Sequence, residues 1–186
     1  MFSQFGPLFS RLARYFHAYG GIGAVLFSPF FIIAVIVTAA SYNKWRADDW
    51  IGTAQSLLPN LLGFSLGTYS ILFSLLTNRI RRALKTRKNE RGVSRLEEVN
   101  ATFFHFIFVQ VVALTWSFLY SGMAITDLVE WLPSVFPDVD ADRIMAILRF
   151  MGSSIGYTLL VYSFLLILGA ALAVYRLALI TDPGAD

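Results

Sequence analysis

The sequence predicts an all-α, polytopic integral membrane protein with four transmembrane helices behind an N-terminal interfacial amphipathic helix. Composition is the first observation: 56% of the 186 residues are hydrophobic and 15% charged, whereas soluble domains carry about 25% charged residues. The second is a set of four apolar stretches long enough for a hydrocarbon core of about 30 Å, which takes roughly 20 helical residues. The third is the lack of apolar–polar alternation, which leaves helices as the only way for these stretches to cross lipid. Residues 1–186 read as a single four-helix membrane domain, with no connection long enough for a separate aqueous domain.

Residues 1–21 form the interfacial segment. Phe2, Phe5, Phe9, Leu12 and Phe16 recur at helical spacing while Gln4, Arg11 and Arg14 face away, the pattern of a basic amphipathic helix lying in the headgroup layer. Pro7 suits a first helical turn, and Gly20-Gly21 lets the chain bend inward. The alternative for this helix is packing against a neighbouring subunit. The first span covers 22–42. Its apolar run begins only after the interfacial segment and exceeds the usual ~7–15-residue core of a signal peptide, so a retained helix is expected. The second span covers 57–76, opened by Pro59-Asn60, and the third covers 101–123. An acidic connection occupies 124–147, and the fourth span 155–178.

Charge sets the orientation. Eight basic residues lie from Arg79 to Arg95, opposed only by Glu90. This collar in the 79–100 connection includes Arg79, Arg81, Arg82, Lys85, Arg87 and Lys88. The next connection is reversed, with Asp127, Glu130, Asp138, Asp140 and Asp142 against Arg143 and Arg149. Basic connections stay cytoplasmic, which places both termini inside, preferably in a bacterial inner (plasma) membrane. Trp45, Trp50 and Trp131 then fall at the outer interface. The collar contacts anionic headgroups, each basic residue contributing roughly 1 kcal/mol near the surface. Nucleic acid is disfavoured as a partner, because the run lacks interleaved aromatics and a Gly-rich phosphate cradle.

Several chemistries are disfavoured by the residues. Cysteine is absent, which removes disulfides, thiolate metal sites and thiol nucleophiles. The four spans hold no Asp, Glu or Lys, whereas proton-coupled transport usually needs an intramembrane carboxylate. Gly63-Phe64-Ser65-Leu66-Gly67 matches G-x-S-x-G, but that motif requires a strand-to-helix elbow. A rhomboid-like pairing of Ser65 with His105 meets a depth mismatch of about 12 Å at 1.5 Å per residue. Asp138-Val139-Asp140-Ala141-Asp142 begins like a calcium loop, but Arg143 and Arg149 replace its glycine and terminal glutamate. One of these acids is expected to cap the fourth helix. No enzyme activity, cofactor or metal centre is expected.

The second span carries the most informative pattern. Asn60, Gly63, Gly67, Ser70, Ser74 and Thr77 are spaced 3, 4, 3, 4 and 3 apart, one stripe down a helix. Such a stripe is either a helix-packing surface, here against Gly152, Gly156, Ser163 and Ala170 of the fourth span, or the wall of a water-filled path. His105 and Gln110 are the remaining intramembrane polar groups of note, and a histidine in a bundle commonly bonds a neighbouring helix. Leu66-Gly67-Thr68-Tyr69 after Pro59 resembles the start of the pore helix in bestrophin anion channels, which are four-span oligomers. The distance to the following arginine differs from theirs, the 186 residues hold no counterpart of that family's large cytosolic helical region, and no residue role is carried over. Outer acids, a hydroxyl-lined path and an inner basic collar describe a small oligomeric channel or permeability-controlling protein for ions. Leu62, Leu66 or Phe73 would supply constrictions. A non-conducting scaffold or accessory subunit that binds another membrane protein through the stripe is the alternative.

Overall fold

Prolines and caps decide where the helices begin and end. The computed structural model describes residues 5–122, 124–136 and 140–178. Among these residues the chain runs α1 (Phe5–Tyr19), α2 (Gly21–Leu26), α3 (Pro29–Ala40), α4 (Tyr42–Arg46), α5 (Trp50–Leu75), α6 (Asn78–Thr86), α7 (Arg95–Ser121), α8 (Ala124–Val135) and α9 (Ala141–Ala178). The only extended pairing among the described residues is an isolated bridge between Lys88 and Ser94.

The stretch expected to be one first span, 22–42, is two helices. Pro29 has no N–H to return to the preceding turn, and its ring disfavours a helical Ser28. Ser28 N therefore bonds Val25 O at 3.2 Å, three residues back, and α3 restarts with Pro29 at its first position. At the far end Trp45 Nε1 donates to Thr38 O at 2.8 Å, satisfying a carbonyl in the last turn of α3.

The second expected span starts earlier than 57. Helix α5 begins at Trp50, and Pro59 lies inside it rather than opening it. The extra turns hold because Trp50 is anchored: its indole N–H donates to Ser153 Oγ at 2.9 Å, and Ser153 Oγ in turn bonds Asp48. Asp48 itself adopts a positive φ of 57°, a conformation that Asp tolerates better than most residues. The connection expected at 79–100 contains α6, with Thr77 as its N-cap accepting from Ile80 N at 3.3 Å.

Helix α7 opens with a reciprocal capping box. Ser94 Oγ accepts from Glu97 N at 3.2 Å, while Glu97 Oε2 accepts from Ser94 N at 3.0 Å. Helix α9 starts well before 155, because Asp140 caps it by accepting from Arg143 N at 3.0 Å. The acidic connection 124–147 therefore holds α8 and the first turns of α9.

Among the described residues three helices are long and apolar enough to cross a membrane: Trp50–Ser74, Arg95–Ser121 and Ala141–Arg176. Pro29–Ala40 is a shorter apolar helix. The chain is thus an all-helical, multi-pass membrane protein by the length and composition of its helices.

Two compact units are distinguished. One comprises Met1–Ile32, Gly63–Phe108 and Leu165–Asp186, and the other Ile33–Leu62 and Val109–Phe164. In the first, Tyr15, Ala18, Val93 and Ala101 are buried with Leu12, Phe16 and Phe108 against them. In the second, Trp45, Trp50, Ala54, Leu58, Ala113 and Leu160 form the core. Trp45 and Trp50 are 4% and 1% exposed, so they are core residues and not the interfacial anchors their positions suggest. Trp131 is exposed. Glycine makes room for these rings: a Cβ on Gly156 would collide with the Trp50 ring, and one on Gly152 with Tyr120.

Gly156→Ala is therefore expected to destabilise the fold by about 1–3 kcal/mol through overpacking. Trp50→Leu in the same chain removes the clashing ring, so the double variant should lose less than the sum of the single losses. Denaturant unfolding in mild detergent, followed by far-ultraviolet circular dichroism, measures both. Additive losses would show that the two positions do not meet.

Candidate functional site

Helix α5 has two unlike faces. Ala54, Leu58 and Ser65 are buried at 0%, 0% and 1% exposure. Two positions further along, about 200° around a 3.6-residue helix, lie Ser56, Asn60, Gly63, Gly67, Ser70 and Ser74, all exposed. The stripe thus sits opposite the face that packs within the chain. Of the three long helices α5 is also the least covered, with 11% of its most apolar window buried against 39% and 28% for the others.

The structure alters the membership of the stripe. Thr77 leaves it, because the chain departs from the helix after Leu75 and Thr77 becomes the α6 cap. Gly52, Thr53 and Ser56 extend the exposed surface toward the N-terminus, since α5 starts at Trp50. The signal for Ser56 was present as a further step of four before Asn60. It was missed because Pro59 was read as a helix start, a role proline usually prefers.

The small residues of α9 do not cover the stripe. Gly156 receives the Trp50 ring and Gly152 the Tyr120 ring, while the buried Ser163 donates to Leu159 O at 2.7 Å. Among the described residues no side chain lies within 4 Å of a Cβ built on Gly52, Gly63 or Gly67. Each hydroxyl on the stripe, and the Asn60 amide through one N–H, donates to a carbonyl of its own helix. Ser56 Oγ donates to Thr53 O at 3.1 Å, and Asn60 Nδ2 to Ser56 O at 2.9 Å. Ser70 Oγ donates to Leu66 O at 2.9 Å, and Ser74 Oγ to Ile71 O at 2.8 Å. The remaining lone pairs on these oxygens point to acceptor chemistry toward water or a neighbouring helix.

His105 and Gln110 lie in different surroundings. His105 is buried, bonded through Nδ1 to Tyr15 Oη and stacked on Tyr19 with ring centroids 4.1 Å apart. One partner of His105 therefore comes from α1, a neighbouring helix. Burial, reinforced by Tyr19, raises the Tyr15 phenol well above its ordinary pKa, so it stays protonated across the physiological range. Gln110 is fully buried on α7.

The charged groups separate into two sets. Arg79, Arg81, Arg82 and Lys85 stand exposed on α6, Arg87 is its C-cap residue, and Lys88 joins the bridge to Ser94. Arg81 Nη2 donates to Phe73 O at 3.1 Å, capping the end of α5. Asp140 is the α9 cap and Asp142 lies in its first turn, while Asp138 lies outside the described residues. No group of three metal-ligating side chains forms among the described residues.

No protein-family model, curated protein or solved structure matches this chain. The functional reading rests on its own geometry.

Tyr15→Phe should weaken the attachment of α1, at a cost of about 1–3 kcal/mol for a buried hydrogen bond left unmade. Trypsin cleavage after Arg14 should accelerate in detergent-solubilised protein, while the exposed-site control Phe9→Leu stays at the native rate. Equal rates for Tyr15→Phe and the native protein would remove the bond to His105 as the anchor of α1.

Proposed function

We propose that this chain forms a small oligomeric channel or permeability-controlling membrane protein, lined mainly by the stripe of α5. The observation that carries the reading is a spanning helix whose polar file faces away from its own fold. Lipid gains nothing from hydroxyls and bare glycines, whereas water or another helix does. One four-span chain cannot readily surround a path, so the assembly is a homo-oligomer. Leu66 stands exposed beside the stripe and is placed to narrow it by an apolar constriction.

The topology proposed with it has four crossings, the first made by α2 and α3 together. At 1.5 Å per residue the segment 21–40 reaches about 30 Å, a full hydrocarbon core. The exposed Leu8 and Phe9 of α1 are supplied to the headgroup layer, which makes α1 an interfacial helix. The basic α6 then lies on the cytoplasmic side, with both termini inside a bacterial inner membrane.

A scaffold role is the second reading, favoured by the open space at Gly63 and Gly67. That G-x-x-x-G pair permits close approach of a helix from another membrane protein.

The two readings separate in planar bilayers. Native protein should assemble beyond a monomer and conduct, and Ser70→Leu should assemble yet lose conductance by about tenfold or more as the path turns apolar. A monomer, or undiminished conductance in assembled Ser70→Leu, would sink the pore along α5. Assembly without conductance in the native protein would favour the scaffold.

A further inference from the structure

A cavity in the unit that contains α1 and α6 is unused by the reading above. It measures about 740 Å³, within the roughly 300–1,000 Å³ of ordinary ligand pockets. Its lining combines two chemistries. Arg87, Arg91, Arg95 and Arg176 line it with a single carboxylate, Glu98. Phe30 of α3 and Leu166, Ala170 and Ala173 of α9 supply apolar surface.

The charges are unevenly used. Glu98 is bonded by Arg95 at 2.8 Å and pairs with Arg91 at 3.7 Å. Arg91 also donates to His17 O at 3.3 Å. The guanidinium groups of Arg87 and Arg176 have no hydrogen-bond or ion-pair partner among the described residues. Guanidinium groups match phosphate oxygens in forked pairs, so an anionic phosphoryl group complements these arginines. A free phosphate would leave the Phe30–Leu166 wall bare in the same cavity. A molecule that carries an anionic headgroup on a hydrocarbon chain complements both parts of the lining.

We propose that this cavity binds one anionic phospholipid, its phosphate between Arg87 and Arg176 and an acyl chain along Phe30, Leu166 and Ala173. It is a defined lipid site, distinct from diffuse attraction of headgroups to the exposed face of α6. The site requires a membrane protein but neither a pore nor an oligomer.

The full chain, purified in mild detergent, is incubated with phosphatidylglycerol, phosphatidylcholine or glycerol phosphate and examined by native mass spectrometry. Phosphatidylglycerol should be retained about tenfold more than phosphatidylcholine, and should raise the melting midpoint by on the order of 5 °C. The paired substitutions Arg87→Gln and Arg176→Gln should abolish that preference. Arg79→Gln with Arg82→Gln, which removes equal charge from α6 outside the cavity, should keep it. Ala173→Trp, which fills space beside the apolar surface, should reduce retention with every arginine present. Should Arg87→Gln with Arg176→Gln fail to fold, the native chain's lipid preference and the Ala173→Trp variant decide. Equal loss in the two arginine pairs would reduce the effect to diffuse surface charge and overturn the site. Glycerol phosphate matching the lipid's protection would overturn the acyl chain's part and leave a free-anion site. No preference of the native chain for phosphatidylglycerol would overturn the proposal outright.

Discussion

Hydrocarbon supplies no hydrogen-bond partner, so polar groups on a spanning helix must find partners in their own chain or in a neighbour. The polar groups of this protein follow that constraint by local means. Ser56, Asn60, Ser70 and Ser74 return their donors to carbonyls three or four residues back on α5. Side chains also bond across helices, at buried or half-buried positions in Trp50 with Ser153, Thr158 with Thr38 at 3.0 Å, and Trp116 with Gly152 O at 3.0 Å, and at an exposed one in Tyr69 with Asn100 at 2.6 Å. These bonds fix rotation of the helices about their axes, which apolar contact alone leaves loosely determined.

Packing follows from the same bonds. An indole held at its nitrogen has a fixed ring plane, and the opposing backbone must yield space to it. Gly156 does so for Trp50, Gly152 for Tyr120, and Gly169 lies with its Cβ position 3.2 Å from Phe30. The glycines of α9 are therefore sockets for aromatic rings. At Gly63 and Gly67 of α5 a Cβ would meet nothing within 4 Å among the described residues. Two sets of small residues that look alike in sequence thus differ in surroundings, one consumed by the fold and the other left open.

The apolar runs made the class of fold legible, because crossing lipid leaves few alternatives to a helix. They did not reveal the break at Phe27–Ser28, since Phe and Ser flank Pro29 without any change in hydropathy. Nor did they reveal the starts of α5 at Trp50 and α9 at Ala141, where caps and tertiary anchors extend the helices past their apolar cores. Trp45 and Trp50 read as interfacial because indoles favour that layer; Gly156 and Thr38, distant in sequence, make them core residues. The stripe was legible through its spacing, but its direction was not. Periodicity identifies faces of a helix without saying which one the chain itself covers.

That direction constrains α5 more tightly than composition does. Its buried file at Ala54, Leu58 and Ser65 is satisfied within the chain, so close packing by the opposite file needs atoms from elsewhere. Lipid tails can fill the space beside Gly63 and Gly67 but cannot use acceptor oxygens at Asn60, Ser70 and Ser74. A second helix can use both, and so can water held by further copies of the same helix. The difference between these two occupants is distance. Helices joined through glycines exclude water, whereas helices held apart by their own buried contacts admit it. The bulk beside the stripe would set that distance in any such packing, and Leu66, Phe64 and Ile71, all exposed, are the bulky side chains that α5 presents there.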